Sequence, residues 1–162
     1  MNTSIKKTLL AGDIGGTKTL LRLFEAGGSV LAERRFDSAS FASLEQVVAG
    51  FLSDFPSLSL AAACFGVAGP VQGGRANITN LPWQIDEASI AAEFRIPQVR
   101  LINDFQAVAY GIETLESQDL ATLQAGAPQE CGVRAVIGAG TGLGEGFMVW
   151  QGSYYAAFPS EG

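Results

Sequence analysis

The sequence predicts a mixed α/β domain whose sheet begins antiparallel and continues as alternating strands and helices. Three observations predict it. Strand-like runs near the N-terminus are joined by glycine-rich turns. The next segment carries its large apolar residues at helical spacing. Beyond it, apolar runs alternate with helix-period segments, the pattern of a sheet flanked by helices.

The elements follow in order. Thr8 to Gly12 is a short apolar run, read as a buried strand, and the Gly15-Gly16 turn comes next. Thr19 to Phe24 sets Leu21 and Leu23 on either side of Arg22, as a second strand would. Ala26-Gly27-Gly28 is a turn signal, and Ser29 to Phe36 reads as a third strand. Leu44, Val47, Val48, Phe51, Leu52 and Phe55 then share one helical face. Ser43 with Gln46 makes a capping-box start, and Pro56 marks the stop. Leu58 to Val67 is nearly all apolar, as in a strand covered on both faces. Ala68 to Trp83, rich in Gly, Pro and Asn, reads as loop. Asp86 caps a short helix carrying Ile90 and Phe94, and Val99 to Ile102 is another strand. Asn103 and Asp104 end that strand and open a helix with Phe105, Val108, Ala109 and Ile112 on one face. Ala135 to Ile137 and Phe147 to Trp150 read as strands flanking Gly138 to Gly146. No internal repeat is visible.

Composition narrows the function. The chain has 162 residues, 48% of them hydrophobic, enough for one domain with a sizeable core. Its net charge of −6 argues against a nucleic-acid face, which needs a basic patch. No apolar run approaches the roughly 18 residues that span a bilayer. The short polar N-terminus does not read as a signal peptide. Cys64 and Cys131 lie in or beside apolar stretches without paired spacing, which suits reduced, buried thiols in the cytoplasm. Histidine is absent, so acid–base chemistry within this chain falls to a carboxylate, lysine, tyrosine or water.

Three segments carry chemistry. In Asp13-Ile14-Gly15-Gly16-Thr17, paired glycines let backbone N–H groups approach an anion, and the Thr17 hydroxyl adds a donor. Asp13 can hold Mg²⁺ through water. The alternative is a plain hairpin turn. Gly138-Ala139-Gly140-Thr141-Gly142-Leu143-Gly144 reads as a second phosphate loop, with Thr141 as hydroxyl donor; a flexible hairpin is the other reading. It matches neither the Walker pattern nor G-x-G-x-x-G. In Leu101-Ile102-Asn103-Asp104-Phe105, Asn103-Asp104 is either a helix N-cap or a base with a hydroxyl-binding neighbour. All three segments fall at strand ends, where open α/β sheets bind ligands.

In order and approximate spacing these segments resemble the bacterial glucokinase family, of the sugar kinase, actin and heat-shock chaperone superfamily. The resemblance covers the whole chain. The Asp-x-Gly-Gly-Thr turn is common across the superfamily; Asn-Asp-Phe followed by Gly-x-Gly-Thr-Gly-Leu-Gly is far more specific. It implies an actin-like ATPase fold of the ribonuclease H type. It also implies ATP- and Mg²⁺-dependent phosphorylation of glucose on its 6-hydroxyl.

By the same resemblance, Asp104 corresponds to the catalytic base and Asn103 to a glucose-contacting asparagine. Asp13, Gly15, Gly16 and Thr17 correspond to the first phosphate motif, and Gly140, Thr141 and Gly142 to the second. Thr79-Asn80 and Trp83 match a segment near the sugar pocket, which reads equally as a structured loop around a buried Trp. Glu161 matches a sugar-binding glutamate that a histidine follows in the family. Lys18 and Leu20 depart from the Asn and Arg that related glucokinases often carry.

Residues 1–162 are therefore expected to be the N-terminal, small domain of a two-domain kinase, cut before the second domain and inactive alone. A kinase for another hexose or N-acetylhexosamine, or a non-catalytic sugar-sensing regulator, would share the fold. The expected ligands are glucose and ATP, with no nucleic acid and no membrane. The resemblance also allows a homodimer, a state common in the family.

Overall fold

The computed structural model describes residues 7–139 and 143–160. The chain divides into two compact units, one running to Ile102 and the other beginning at Asn103.

The first unit is built on a five-stranded sheet. Its strands are β1 (Thr8–Ile14), β2 (Lys18–Glu25), β3 (Val30–Asp37), β4 (Leu60–Val67) and β8 (Val99–Asn103). Their order is β3-β2-β1-β4-β8. β1 pairs antiparallel with β2 and parallel with β4, and β2 pairs antiparallel with β3. This is the predicted meander followed by a crossover. The crossover contains α1 (Leu44–Leu52), which buries Leu44, Val47, Val48 and Phe51. Ser43 Oγ accepts from the Gln46 N–H at 3.4 Å, and Gln46 Oε1 accepts from the Ala42 N–H at 3.0 Å. These bonds satisfy amides that the first helical turn leaves without partners. The core packs Leu10, Ile14, Leu21, Leu23, Phe65 and Val67 together with the buried face of α1.

Two expectations change here. β4 is not covered on both faces: Ala63, Phe65 and Val67 are buried, while Cys64 is exposed. Alternation along the strand turns Cys64 away from the core. Cys131 is also exposed, so neither thiol is the buried one predicted. The expected loop from Ala68 to Trp83 holds most of a small antiparallel sheet. Its strands are β5 (Val71–Gln72), β6 (Arg75–Asn77) and β7 (Gln84–Asp86). Gly73 and Gly74, at φ 56° and 76°, form the left-handed turn that a two-residue hairpin requires. Such short strands leave no periodicity to read.

Asp86 caps α2 (Glu87–Phe94) as predicted, its Oδ1 accepting from the Ser89 N–H at 3.0 Å.

The second unit sets α3 (Asp104–Ile112) against a three-stranded antiparallel sheet. Its strands are β9 (Arg134–Ala139), β10 (Leu143–Trp150) and β11 (Tyr155–Pro159), in the order β11-β10-β9. Ala109, Val136, Met148, Tyr155 and Ala157 form its core, with Phe105 and Ile112 packed against them. Val108, expected on the buried face, is exposed.

A repeat that the sequence hides becomes visible. Each unit contains an antiparallel meander whose middle strand has eight residues and whose second turn spans four. In the second turns, Gly28 and Gly152 adopt φ of 90° and 89°. The second, fourth and sixth residues of the middle strands are Thr19, Leu21 and Leu23 in one, Gly144, Gly146 and Met148 in the other. Glycine in place of leucine erases the shared pattern.

Candidate functional site

Asp13 is the penultimate residue of β1, exposed, and paired in register with Leu20 of β2 and Gly66 of β4. The backbone beside it is tightly packed: a Cβ at Gly12 would fall 2.5 Å from the Phe65 ring.

The turn after it is held on its carbonyl side. The Gly15 N–H donates to the Lys18 carbonyl at 3.0 Å. Ser38 Oγ donates to the Gly15 carbonyl at 2.9 Å, and the Ser38 N–H donates to the Thr17 carbonyl at 3.0 Å. The Ser38 hydroxyl has one proton, so Thr19 Oγ1, 3.0 Å away, donates to Ser38 Oγ. Ser38 and Thr19 are both fully buried. Among the described residues, no partner holds the N–H of Gly16 or of Thr17. The fold thus fixes the turn through its carbonyls and leaves two adjacent backbone donors for an anion. Ser38 was not singled out from sequence. Its bonds cross to residues far away along the chain, and no local signal marks it.

The structure also brings Asn80 to this turn. A Cβ on Gly16 would lie 3.4 Å from Asn80 Cβ, an ordinary contact. Asn80 sits in a tight turn closed by the Leu81 N–H on the Ile78 carbonyl at 3.2 Å. Trp83 anchors that turn: it is 1% exposed and its Nε1–H donates to the Phe41 carbonyl at 3.1 Å. The segment is a structured loop on a buried Trp, with Asn80 set against the Gly15-Gly16 turn.

In the second unit, Asn103 Oδ1 accepts from the N–H groups of Phe105 and Gln106, at 2.9 and 3.2 Å. It is the N-cap of α3. Asp104 follows in the first helical turn, exposed, with Oδ1 accepting from the Phe105 N–H at 2.8 Å. A carboxylate there is favoured by the helix dipole. Gln106 Nε2 donates to the Ala157 carbonyl at 2.7 Å and ties α3 to β11.

The glycines of the second motif have a packing role. A Cβ at Gly138 would fall 2.7 Å from the Phe105 ring, and one at Gly144 2.5 Å from it. They make a seat for the residue after Asp104. Glycine thus contributes to packing here by admitting an aromatic ring. Gly140, Thr141, Gly142 and Glu161 lie outside the described residues.

Residues 10–162 match the Glucokinase family model. The chain belongs to the glucokinase family. It is 51% identical over 160 residues to a glucokinase from Nostoc sp. (strain PCC 7120), covering 95% of this chain and 46% of the relative. A glucokinase from Synechocystis sp. (strain PCC 6803) is 44% identical, with 94% and 47% covered. Among solved structures, a glucokinase from an Antarctic psychrotroph superposes with a TM-score of 0.83 at 34% identity, covering 96% of this chain and 50% of that one. The fold is therefore the actin-like ATPase fold expected from the motifs. The chain spans about half the length of the curated glucokinases it matches.

Among the described residues, no group of three or more His, Cys, Asp or Glu could cage an ion. Mg²⁺ needs no such cage: it keeps its waters and takes one or two carboxylates plus phosphate oxygens. No helix among the described residues is long and apolar enough to cross a membrane.

Proposed function

We propose that this chain is the N-terminal part of a two-domain, cytoplasmic glucokinase that transfers the terminal phosphoryl group of ATP to the 6-hydroxyl of glucose. The observation that carries the reading is the pairing of Asn103 and Asp104: one caps α3, and the other stands exposed beside it in the first turn. Residues 1–162 form the small domain and the start of the cleft in this reading.

Asp104 accepts the proton of the sugar hydroxyl as that oxygen attacks. A positioned base contributes roughly 10²–10⁴ in rate. The capping bonds fix Asn103, so its amide nitrogen is the group that would donate to a sugar hydroxyl. Asn80 and Glu161 supply further sugar contacts. The Gly16 and Thr17 N–H groups bind phosphate oxygens, supported by their lack of partners among the described residues. Gly140, Thr141 and Gly142 form the second phosphate contact. Asp13 would hold Mg²⁺ through water, and the ion would neutralise charge on the transferring group. Phosphoryl transfer asks the protein chiefly for positioning and electrostatics, and fixed backbone donors provide both.

The test is Asp104→Asn in the full-length protein. Turnover with glucose and ATP is expected to fall by about 10²-fold or more while glucose still binds. Near-normal turnover would overturn the assignment. A panel of glucose, mannose, fructose and N-acetylglucosamine fixes the substrate, with glucose expected to give the highest kcat/KM.

A further inference from the structure

The turn after β1 opens on one side into a concavity of about 450 Å³ lined by Thr17, Lys18, Arg35, Phe36 and Asp37. The register of β2 on β3 sets Lys18 opposite Asp37 and Leu20 opposite Arg35. Alternation therefore puts Lys18 and Arg35 on one face of the sheet, while the intervening pair, Thr19 and Phe36, faces the other way. Both cationic side chains are exposed.

Most of the arginines of this chain hold a carboxylate. Lysine and arginine number 10 against 16 aspartates and glutamates, so carboxylate partners are in excess. Arg22, Arg34, Arg75, Arg100 and Arg134 each hold one. Among the described residues, Lys18 and Arg35 hold none, although they share a concavity. Asp37, the one carboxylate there, is turned to the backbone. Its Oδ1 accepts from the Ala39 N–H at 3.2 Å and its Oδ2 from Ser40 Oγ at 3.3 Å. Lys18 and Arg35 thus put positive charge on one face of the concavity, and a bound anion would neutralise it.

We propose that Lys18 and Arg35 form a binding site for a phosphate dianion beside the Gly15-Gly16-Thr17 turn. Arg35 offers a planar fork that matches two phosphate oxygens, and Lys18 offers a mobile point charge. The dianion belongs either to the nucleotide or to the phosphorylated sugar. Only that choice of source rests on the kinase reading; the anion site stands on the residues themselves.

The test is calorimetric titration of the 162-residue chain with inorganic phosphate at low salt. Saturable binding is expected, weakened about fivefold by either Lys18→Gln or Arg35→Gln, the scale of one exposed charge pair, and unchanged by the control Lys7→Gln. All three side chains are exposed, and a thermal melt checks that each variant is folded. No saturable binding, wild-type affinity in both site variants, or equal weakening by Lys7→Gln would overturn the proposal. ATP and glucose 6-phosphate are then titrated separately. The ligand whose affinity falls in the site variants identifies the source of the dianion, and indifference of both overturns the site. This assay reads anion binding and the Asp104→Asn assay reads turnover, so each can fail without the other.

Discussion

Phe105 and Gly144 are complementary: a Cβ on Gly144 would fall 2.5 Å from Cδ2 of the Phe105 ring. The residue after the candidate base is thus seated in a strand that carries the second glycine motif. Gly144→Ala is expected to destabilise the chain by about 1–3 kcal/mol through overpacking. Combining it with Phe105→Ala should cost less than the sum of the two single changes, because the clash leaves with the ring. Denaturant unfolding of the four proteins measures the coupling, and strict additivity would show that the ring does not need the glycine.

Ser38→Ala removes the hydroxyl that joins the Gly15 carbonyl to Thr19 Oγ1. Thr19 is fully buried, so its hydroxyl loses its acceptor where water cannot replace it. A loss of about 1–3 kcal/mol is expected, with faster amide exchange at Gly15, whose N–H closes the turn on Lys18. Unchanged exchange at Gly15 would mean the turn does not depend on Ser38.

Asp86 sets part of the acid limit of stability. The Arg75 guanidinium, with Nε–H donating to Asp86 Oδ2 at 2.5 Å, holds its carboxyl below the usual range, and the Ser89 N–H adds to the effect. A carboxyl lowered in the folded state stabilises above its unfolded pKa of about 3.9, and that contribution is lost as pH falls through the folded value. Asp86→Asn keeps an N-cap side chain but removes the charge. Wild type is expected to exceed the variant in stability at pH 7, with the gap closing as pH falls below the unfolded pKa and through the lower folded one. A gap that persists at low pH would assign the effect to capping alone.

Trp83 is 1% exposed and hydrogen-bonded through Nε1–H to the Phe41 carbonyl. Trp83→Phe keeps an aromatic body but leaves that carbonyl without its donor, at an expected cost of about 1–3 kcal/mol. In a Trp150→Phe background, the remaining Trp83 should emit at short wavelength and resist acrylamide quenching. Ready quenching would place Trp83 at the surface.

Where the sequence speaks locally, the expectations and the structure agree. Ser43 and Asp86 cap helices because a short oxygen side chain meets an orphan N–H within three residues. The N-terminal meander follows from period-two apolar residues and glycine turns. Motif order alone identifies the glucokinase family. What stayed illegible depends on partners distant in the chain. The strands around Gly73-Gly74 are too short to show a period, and Val108 is exposed although its helical spacing reads as buried.

By itself, the sequence determined the types of the longer elements, the family, and the candidacy of Asp13, Gly15, Gly16, Thr17, Asn103 and Asp104. Those are properties of adjacent residues and of their order. Only the tertiary structure decided that Ser38 pins the first turn, that Asn80 lies against Gly16, and that the glycines at 138 and 144 seat Phe105. It alone showed the same meander in both units. The physical reason is one: close approach and hydrogen bonding depend on distance in space, and folding sets that distance independently of separation along the chain.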